Sequence, residues 1–302
     1  MLLADLDRAS LVARLRASAL LLDIHPFVAR IGTDLPALAD DMRLVYAQFA
    51  VLAADTFADF HVCIKAERRF SSGFRPQARF YYDGQPSFLP LPRHHALPML
   101  EWGLNWCVAS HAHQFMILHA AVLERGGKAM LLPAPPGSGK STLAAGLVHR
   151  GWRLLSDELA LLDMSDGQVQ GMARAVNLKN RSIELLSGFA PEARFTRPVP
   201  DTAKGLVSLM APPADSVARR HEPARPAWVV LPRFKEDAKA SLTPADRAPT
   251  LLLMAEQSFN YDIHGERGFD ALGTLIARCQ CLQFEYSALD DAVAVFRQLS
   301  DG

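Results

Sequence analysis

The chain has 302 residues, equal numbers of basic and acidic side chains (32 each), and 50% hydrophobic residues. This length suits two domains, or one large α/β domain with an added lobe, and the hydrophobic content excludes a globally disordered chain. A formal net charge of zero without a block of like charge argues against nucleic-acid binding. Because no apolar run approaches the length of a membrane span, we expect no membrane association.

The cysteines give no sign of a metal site. Cys63, Cys107, Cys279 and Cys281 match no zinc-binding spacing. We expect all of them to be reduced and mostly buried, as in a cytoplasmic protein. The N-terminus carries acidic residues where a secretory signal needs basic and then apolar ones, so the sequence favours a cytoplasmic location.

Residues 1–112 are predicted to form a small α+β lobe. Strands are expected at 19–24, 27–31 and 57–65, and a hairpin at Asp83-Gly84. Helices are expected from about Pro36 to Phe49 and from about Ala96 to Ser110. This region contains no chemical motif.

Residues 113–302 are predicted to form a second, α/β domain. It begins with strands from Phe115 to Leu123 and from Ala129 to Pro133, and a buried central strand is expected at 227–231, ending before Pro232. Residues 260–265 are expected to form a loop between helices. Residues 187–226 contain many Pro, Arg and small residues, with a strand-like stretch at 206–210. The part from 212 to 226 is expected to be a surface loop, either a lid over the acceptor or a plain connection.

A phosphate-binding loop is predicted directly after the second of these strands, where the sequence reads Ala134-Pro-Pro-Gly-Ser-Gly-Lys-Ser141. Gly137 and Gly139 allow the backbone to curl so that N–H groups point at phosphate oxygens, and the positive end of the following helix adds to this attraction. Lys140 can reach the β- and γ-phosphates, and the Ser141 hydroxyl can bind Mg²⁺. The first glycine of the commonest pattern is Ala134 here, at the entry to the loop. The predicted nucleotide-binding residues of this segment are Pro136, Gly137, Ser138, Gly139, Lys140, Ser141 and Thr142.

An acidic pair, Asp157 and Glu158, follows the next short apolar strand. Only 17 positions separate Lys140 from Asp157, which leaves room for one helix and one crossover. The strands before and after this helix should therefore be parallel and end at the same edge of the sheet. An acidic residue at that edge can bind the metal or accept a proton from an attacking hydroxyl.

These features resemble the kinases of the HPr kinase and phosphoenolpyruvate carboxykinase type. The resemblance lies in a His-containing strand (Leu118 to Leu123), a turn (Glu124 to Lys128), the phosphate loop, and the run from His149 to Glu158. The sequence is most similar to the group called HPr kinase-related kinase A, and the resemblance is specific over about residues 113–181. The resemblance implies a P-loop kinase domain preceded by a small α+β lobe, with ATP- and Mg²⁺-dependent phosphorylation of a hydroxyl.

The resemblance also implies roles for individual residues. Asp157 would be the catalytic acid/base, Lys140 would act on the phosphates, and His119 would lie near them. Lys179 is similar to a basic residue that relatives carry after the loop, and we expect it to contact phosphate. The implied metal ligands are Ser141, Asp157 and Glu158. The relatives include hexamers, so a homo-oligomer is among the expectations.

The identity of the phosphoryl acceptor stays open at this point. The C-terminal HPr kinase signature is missing, so HPr itself is not the predicted acceptor. Ser or Thr of a protein or peptide is the leading class, and a small-molecule kinase is an alternative. A nucleotide-dependent binding module with little catalysis is the rival from another class. A transporter-type ATPase is disfavoured because no Leu-Ser-Gly-Gly-Gln segment is present.

Overall fold

The structure is a computed structural model that describes residues 1–67, 76–135 and 137–301. It is a mixed α/β protein with sheets of six, eight and three strands, which include parallel and antiparallel pairs. No helix in these ranges is long and apolar enough to cross a membrane. The four cysteines are free; three are buried and Cys63 is half-buried.

The N-terminal region contains the six-stranded sheet and the first helices. The strands are paired in the order β1-β2-β3-β4-β5, with β6 also beside β4. The predicted hairpin is confirmed, because Asp83 and Gly84 join β4 to β5 with positive φ angles. The elements are β1 (Leu20–Asp23), β2 (Val28–Thr33), β3 (Phe60–Glu67), β4 (Gln77–Tyr82), β5 (Gln85–Pro86), β6 (Leu91–Pro92), α1 (Arg8–Arg16), α2 (Pro36–Val45) and α3 (Ala96–His111).

The eight-stranded sheet dominates the rest of the chain. Its order is β11-β10-β7-β8-β15-β17-β16, and β9 also pairs with β7. The smaller sheet has the order β12-β14-β13. The elements are β7 (Phe115–Arg125), β8 (Lys128–Pro133), α4 (Lys140–Val148), β9 (Arg153–Ser156), β10 (Leu159–Asp163), β11 (Val169–Gln170), β12 (Val176–Lys179), α5 (Arg181–Phe189), β13 (Val199–Thr202), β14 (Gly205–Met210), α6 (Ala214–Ala218), β15 (Arg225–Phe234), β16 (Ser241–Pro244), α7 (Arg247–Glu256), α8 (Tyr261–His264), α9 (Glu266–Arg278), β17 (Gln280–Tyr286) and α10 (Leu289–Asp301).

The strands on either side of α4 are parallel, as the spacing predicted. Strands β8 and β9 both run antiparallel to β7, so they point in the same direction. The long strand β7 lies between them. The ends of β8 and β9 consequently meet at one edge of the sheet, separated by the width of a single strand.

Three stretches differ from the sequence-based prediction. The strand-like stretch at 206–210 is confirmed as β14, but the expected surface loop at 212–226 contains α6 and the start of β15. The predicted loop at 260–265 contains the short helix α8. Strand β15 continues through Pro232 to Phe234, because beyond Val229 its described pairing is with β17 and no longer with β8. A proline lacks an N–H donor, and it is tolerated where a strand is paired on one side only.

Strand β7 distributes its side chains among three cores. Its first four even-numbered residues pack with helices α7 and α9. Phe115 and Ile117 join the core of the N-terminal region. Further along, Ala121 and Leu123 join the core around α4. The half-buried His119 is the odd-numbered residue between these pairs, so strand alternation places it where the N-terminal region meets α4.

A buried ionic cluster also joins the N-terminal region to the rest of the chain. Glu101 of α3 is 4% exposed and lies 3.1 Å from the guanidinium of Arg174, which is 5% exposed. Tyr46 donates a hydrogen bond to Glu101, and Arg174 also donates to Asn105. Burial and the Glu101 carboxylate both raise the pKa of Tyr46, so its hydroxyl stays protonated and acts as a donor. Arg174 lies just before β12 and therefore connects α3 to that strand.

Candidate active site

The loop between β8 and α4 is held in place by β15, which is parallel to β8, and by β17, which is parallel to β15. The main-chain N–H of Phe234 donates to the Ser138 carbonyl at 3.0 Å, and the Tyr286 hydroxyl donates to the Gly139 carbonyl at 3.1 Å. Gly137 and Gly139 have φ angles of +89° and +88°, which few residues other than glycine adopt. The ends of β15 and β17 therefore fix the curled backbone that precedes Lys140. Pro136, predicted to bind nucleotide, lies outside the described residues.

The other predicted residues lie in the last part of the loop and in the first turn of α4. Gly137 is exposed, while Ser138, Ser141 and Thr142 are half-buried. The Ser138 hydroxyl is buried and has no hydrogen-bond partner among the described residues. Ser141 and Thr142 lie in the first turn of α4, whose N–H groups have no partner within the helix.

Asp157 follows β9 at the same edge of the sheet and is only 4% exposed. Its Oδ2 accepts a hydrogen bond from the main-chain N–H of Asn177 at 3.1 Å. Its Oδ1 is buried and has no hydrogen-bond partner among the described residues. Burial, and to a smaller extent the neighbouring Glu158 carboxylate, raises the pKa of Asp157. Lys140, the Asn177 N–H and the nearby Ser141 side chain oppose this shift.

The pKa of Glu158 is shifted in the opposite direction from that of Asp157. Its Oε2 lies 3.1 Å from His119 Nε2. Burial acts to raise its pKa, but the hydrogen bond to His119 and the charges of Lys140 and Lys204 outweigh it, so the pKa of Glu158 is well below its usual value. One carboxylate of the pair is thereby kept ionised while its neighbour becomes easier to protonate.

Lys140 is turned toward this acidic pair. The residue is 7% exposed, and its Nζ lies 3.0 Å from His119 Nε2. Burial lowers the pKa of Lys140, whereas the charges of Asp157 and Glu158 act to raise it. The structure thus brings His119, Lys140, Asp157 and Glu158 together, although they come from β7, α4 and the end of β9.

The ring of His119 is oriented by residues that the sequence did not point to. Gln257, directly after α7, has its side-chain oxygen 3.1 Å from His119 Nδ1, and its carbonyl accepts the His119 main-chain N–H. Nε2 lies near both Lys140 and Glu158, but it can accept from the first or donate to the second, not both in one protonation state. The position of this proton therefore decides which of the two partners is hydrogen-bonded to the ring.

The smaller sheet brings further polar groups to the same place. Lys179, at the end of β12, is half-buried and its charge lowers the pKa of Lys140. Asn177 lies two residues earlier on the same face of the strand; it is 5% exposed, and its Oδ1 has no partner among the described residues. Lys204 lies in the turn between β13 and β14, and its charge lowers the pKa values of Lys140 and Glu158. Asn177 and Lys204 were not predicted from the sequence; the alternation of Asn177 with Lys179 was the only local signal.

The residues present are compatible with a magnesium ion bound together with phosphates. The described residues contain no group of three His, Cys, Asp or Glu side chains arranged for metal binding. Magnesium does not require one, since it commonly uses one or two carboxylates, phosphate oxygens and waters. The unpartnered Asp157 Oδ1 and the ionised Glu158 supply oxygen ligands, and Ser141 opens the adjacent helix.

The two glycines of the loop lead to different expected effects on substitution. A Cβ at Gly139 would lie 2.6 Å from the Tyr286 hydroxyl, whereas a Cβ at Gly137 would meet nothing within 4 Å. Backbone strain of about 1–2 kcal/mol in each alanine variant would weaken nucleotide binding roughly 5- to 30-fold. We expect Gly139→Ala to exceed this range because it also displaces Tyr286, and Gly137→Ala to stay within it. Calorimetric titration with Mg·ADP measures both; equal losses would mean that the Tyr286 contact is unimportant.

Comparison with known proteins adds little to this description. No protein-family model and no curated protein matches the chain. One of the solved structures that match is the Hpr(Ser) kinase/phosphatase from Coxiella burnetii, with 11% sequence identity. The match covers 62% of this chain and 99% of that chain, with a TM-score of 0.26. A TM-score this low carries no weight for fold or function.

Proposed function

We propose that this protein is an ATP- and Mg²⁺-dependent kinase that transfers the γ-phosphoryl group to a hydroxyl. The observation that carries the proposal is the environment of Asp157: a buried carboxylate with one unpartnered oxygen, beside the lysine that follows a phosphate-loop sequence. Removing a charged carboxylate from water without a partner is costly, and such groups persist where a ligand uses them.

In the proposed reaction the loop and Lys140 bind the phosphates of ATP, with Lys179 also directed at them. The acceptor oxygen attacks the γ-phosphorus of ATP. The bond between the γ-phosphorus and the β–γ bridging oxygen breaks, and ADP leaves. The acceptor proton passes to Asp157, whose raised pKa brings it closer to the value that proton transfer near neutral pH needs. His119, whose Nε2 can hydrogen-bond to either Lys140 or Glu158, lies near the transferred group.

The metal would be held by Ser141 and the ionised Glu158. Bound Mg²⁺ would neutralise charge on the β- and γ-phosphates. Asp157 was also predicted as a metal ligand from the sequence; its raised pKa favours the role of proton acceptor, and the lowered pKa of Glu158 favours that residue as the ligand.

The surface beside His119 supports a protein or peptide as the acceptor. The ring of Phe259 lies 6.0 Å from the His119 ring and is 49% exposed, and Ile263, four residues further along the chain, is 62% exposed. An exposed apolar side chain next to a reaction centre suits the neighbours of a Ser or Thr in a polypeptide better than a sugar, whose hydroxyls need polar partners. A small-molecule kinase is the alternative, and a nucleotide-dependent binding module is the rival without catalysis.

Labelled ATP added to lysate of the host organism tests this proposal. Wild-type protein and Asp157→Asn are each incubated with γ-labelled ATP, and the protein and small-molecule fractions are read separately. A labelled protein or peptide that is absent with the variant is the expected result. Label confined to a small molecule would establish the small-molecule kinase instead. ATP binding without label in either fraction would favour the binding module.

A further inference from the structure

We propose that Lys204 is a further catalytic residue, which contacts the transferred phosphoryl group, and that helix α3 of the N-terminal region positions it there through Trp102 and His95. This inference rests on the proposed kinase function. It assigns a role to the turn between β13 and β14 and to a region of the chain that carries no chemical motif.

The first argument is the gathering of positive charge at one point. Lys179 pairs with Val207 between β12 and β14, three residues after Lys204, and the charges of Lys179 and Lys204 both reach Lys140. Among the described residues, none of the three ammonium groups lies within 4.0 Å of a carboxylate oxygen. The charges of Asp157 and Glu158 act on Lys140 and Lys204 in the opposite direction, and a multiply charged phosphate would add further negative charge that three lysines can stabilise.

The second argument is that the ammonium of Lys204 lies over an aromatic ring although the residue is exposed. Its Nζ stands 5.4 Å from the centre of the Trp102 ring, within the range of a cation–π contact. Desolvation lowers the pKa of Lys204, and the nearby Glu158 and Asp157 carboxylates act against this shift. The ring contact therefore gives this exposed ammonium a defined position.

The third argument is that the turn carrying Lys204 is fixed at both ends. Thr202 Oγ1 accepts the Lys204 main-chain N–H at 3.1 Å and donates to the Gly205 carbonyl at 2.6 Å. Asn180 Oδ1 accepts the Leu206 N–H at 3.1 Å, which ties the turn to the residue next to Lys179. The two lysines are therefore held by one hydrogen-bonded unit.

Helix α3 supports this unit from the N-terminal side. The ring of His95, directly before the helix, donates from Nε2 to the Pro200 carbonyl in β13 at 2.9 Å, and His95 is 2% exposed. Trp102 lies two helical turns further along, so the two side chains project from the same side of the helix. The hydrogen bond from His95 holds the start of the β13–β14 hairpin, and the Trp102 ring contacts the Lys204 ammonium in its turn.

Binding of a phosphoryl-transfer mimic tests the role of Lys204 without knowledge of the acceptor. The probes are Mg·ADP alone and Mg·ADP with aluminium tetrafluoride, which imitates the phosphoryl group in transit. We expect Lys204→Met to weaken the fluoride complex about 100-fold, as loss of a single charge-stabilising donor does, with little change for Mg·ADP alone. Lys204→Arg should recover most of the loss. Wild-type affinity for the fluoride complex in Lys204→Met would overturn the inference.

Lys128→Met is the matched control. Lys128 also lies over a tryptophan, with Nζ 5.5 Å from the Trp228 ring, but it begins β8 at the opposite end from the loop. We expect this variant to bind both probes like the wild type, and a loss of fluoride-complex affinity equal to that of Lys204→Met would count against the inference. If wild-type protein binds neither probe, the proposed kinase function itself fails; if it binds both and only Lys204 proves indifferent, this inference alone fails.

The positioning role of Trp102 has its own readout. Trp102→Leu should reproduce much of the loss for the fluoride complex, keep Mg·ADP binding and keep the thermal unfolding midpoint within about 4 °C of the wild-type value. Trp102→Phe should restore binding, because it retains an aromatic face for the ammonium. Fluoride-complex affinity that is unchanged in Trp102→Leu would remove Trp102 from the proposal.

Discussion

Replacing Asp157 with Asn is expected to lower phosphoryl transfer by about 10²- to 10⁴-fold, the usual contribution of a positioned proton acceptor. The amide preserves the volume of the side chain and can still accept the N–H of Asn177, so the loop and the strand end should keep their geometry. It cannot take a proton from the attacking hydroxyl. Mg·ADP affinity should stay close to that of the wild type, because Lys140 and the loop backbone remain intact.

The matched control is Asp163→Asn at the other end of the adjoining strand. Asp163 ends β10 and accepts hydrogen bonds from Ser165, away from the phosphate loop. Its variant should transfer phosphate at the wild-type rate. Initial rates with a purified acceptor, or label incorporation in lysate, provide the comparison. Transfer by Asp157→Asn at the wild-type rate would show that Asp157 does not accept the proton.

Replacing Glu101 with Gln is expected to destabilise the protein by about 3 kcal/mol, near the lower end of the cost of breaking a buried ion pair. The guanidinium of Arg174 would remain buried without a counterion, while the amide would still accept one hydrogen bond. A loss of this size corresponds to a fall of roughly 6–12 °C in the thermal unfolding midpoint. Circular dichroism or differential scanning fluorimetry measures it.

An exposed ion pair in the same region serves as the control. Arg8 and Asp40 lie 2.6 Å apart, but both side chains are more than half exposed. Asp40→Asn should therefore cost no more than about 1 kcal/mol. The double variant Glu101→Leu with Arg174→Met should be less destabilised than the sum of its single variants, because it removes both buried charges. Equal midpoints for Glu101→Gln and Asp40→Asn would mean that the buried cluster adds nothing to stability.

The contrast between these two residues shows how unevenly the sequence predicts the molecule. Asp157 follows a short apolar strand at a fixed distance from Lys140, so a local pattern led to it. Glu101 lies in an apolar helix and gave no signal, because its partner Arg174 is 73 positions away. The side chains closest to His119 show the same division: Lys140 and Glu158 were predicted, whereas Gln257 was not.

Local sequence patterns were enough to predict the features that depend on neighbours along the chain. These are the glycine-rich turn before Lys140, the helix that follows it, the parallel direction of β8 and β9, and the hairpin at Asp83-Gly84. Each arises from backbone preferences or from side-chain alternation within a few residues, so each can be predicted from a short window.

Which distant residues meet at that edge of the sheet depends on the packing of the whole chain. Strand β7 lies between β8 and β9, residues 199–210 form a hairpin that carries Lys204, and Trp102 of α3 lies close to that lysine. Packing also shifts the pKa values of Asp157 and Glu158 in opposite directions, although the two carboxyl groups have similar intrinsic acidity. Asp157 is buried without a full set of partners, whereas Glu158 faces His119 and lysines. Burial and long-range charge depend on the packing of the whole chain, and no local window of sequence contains them.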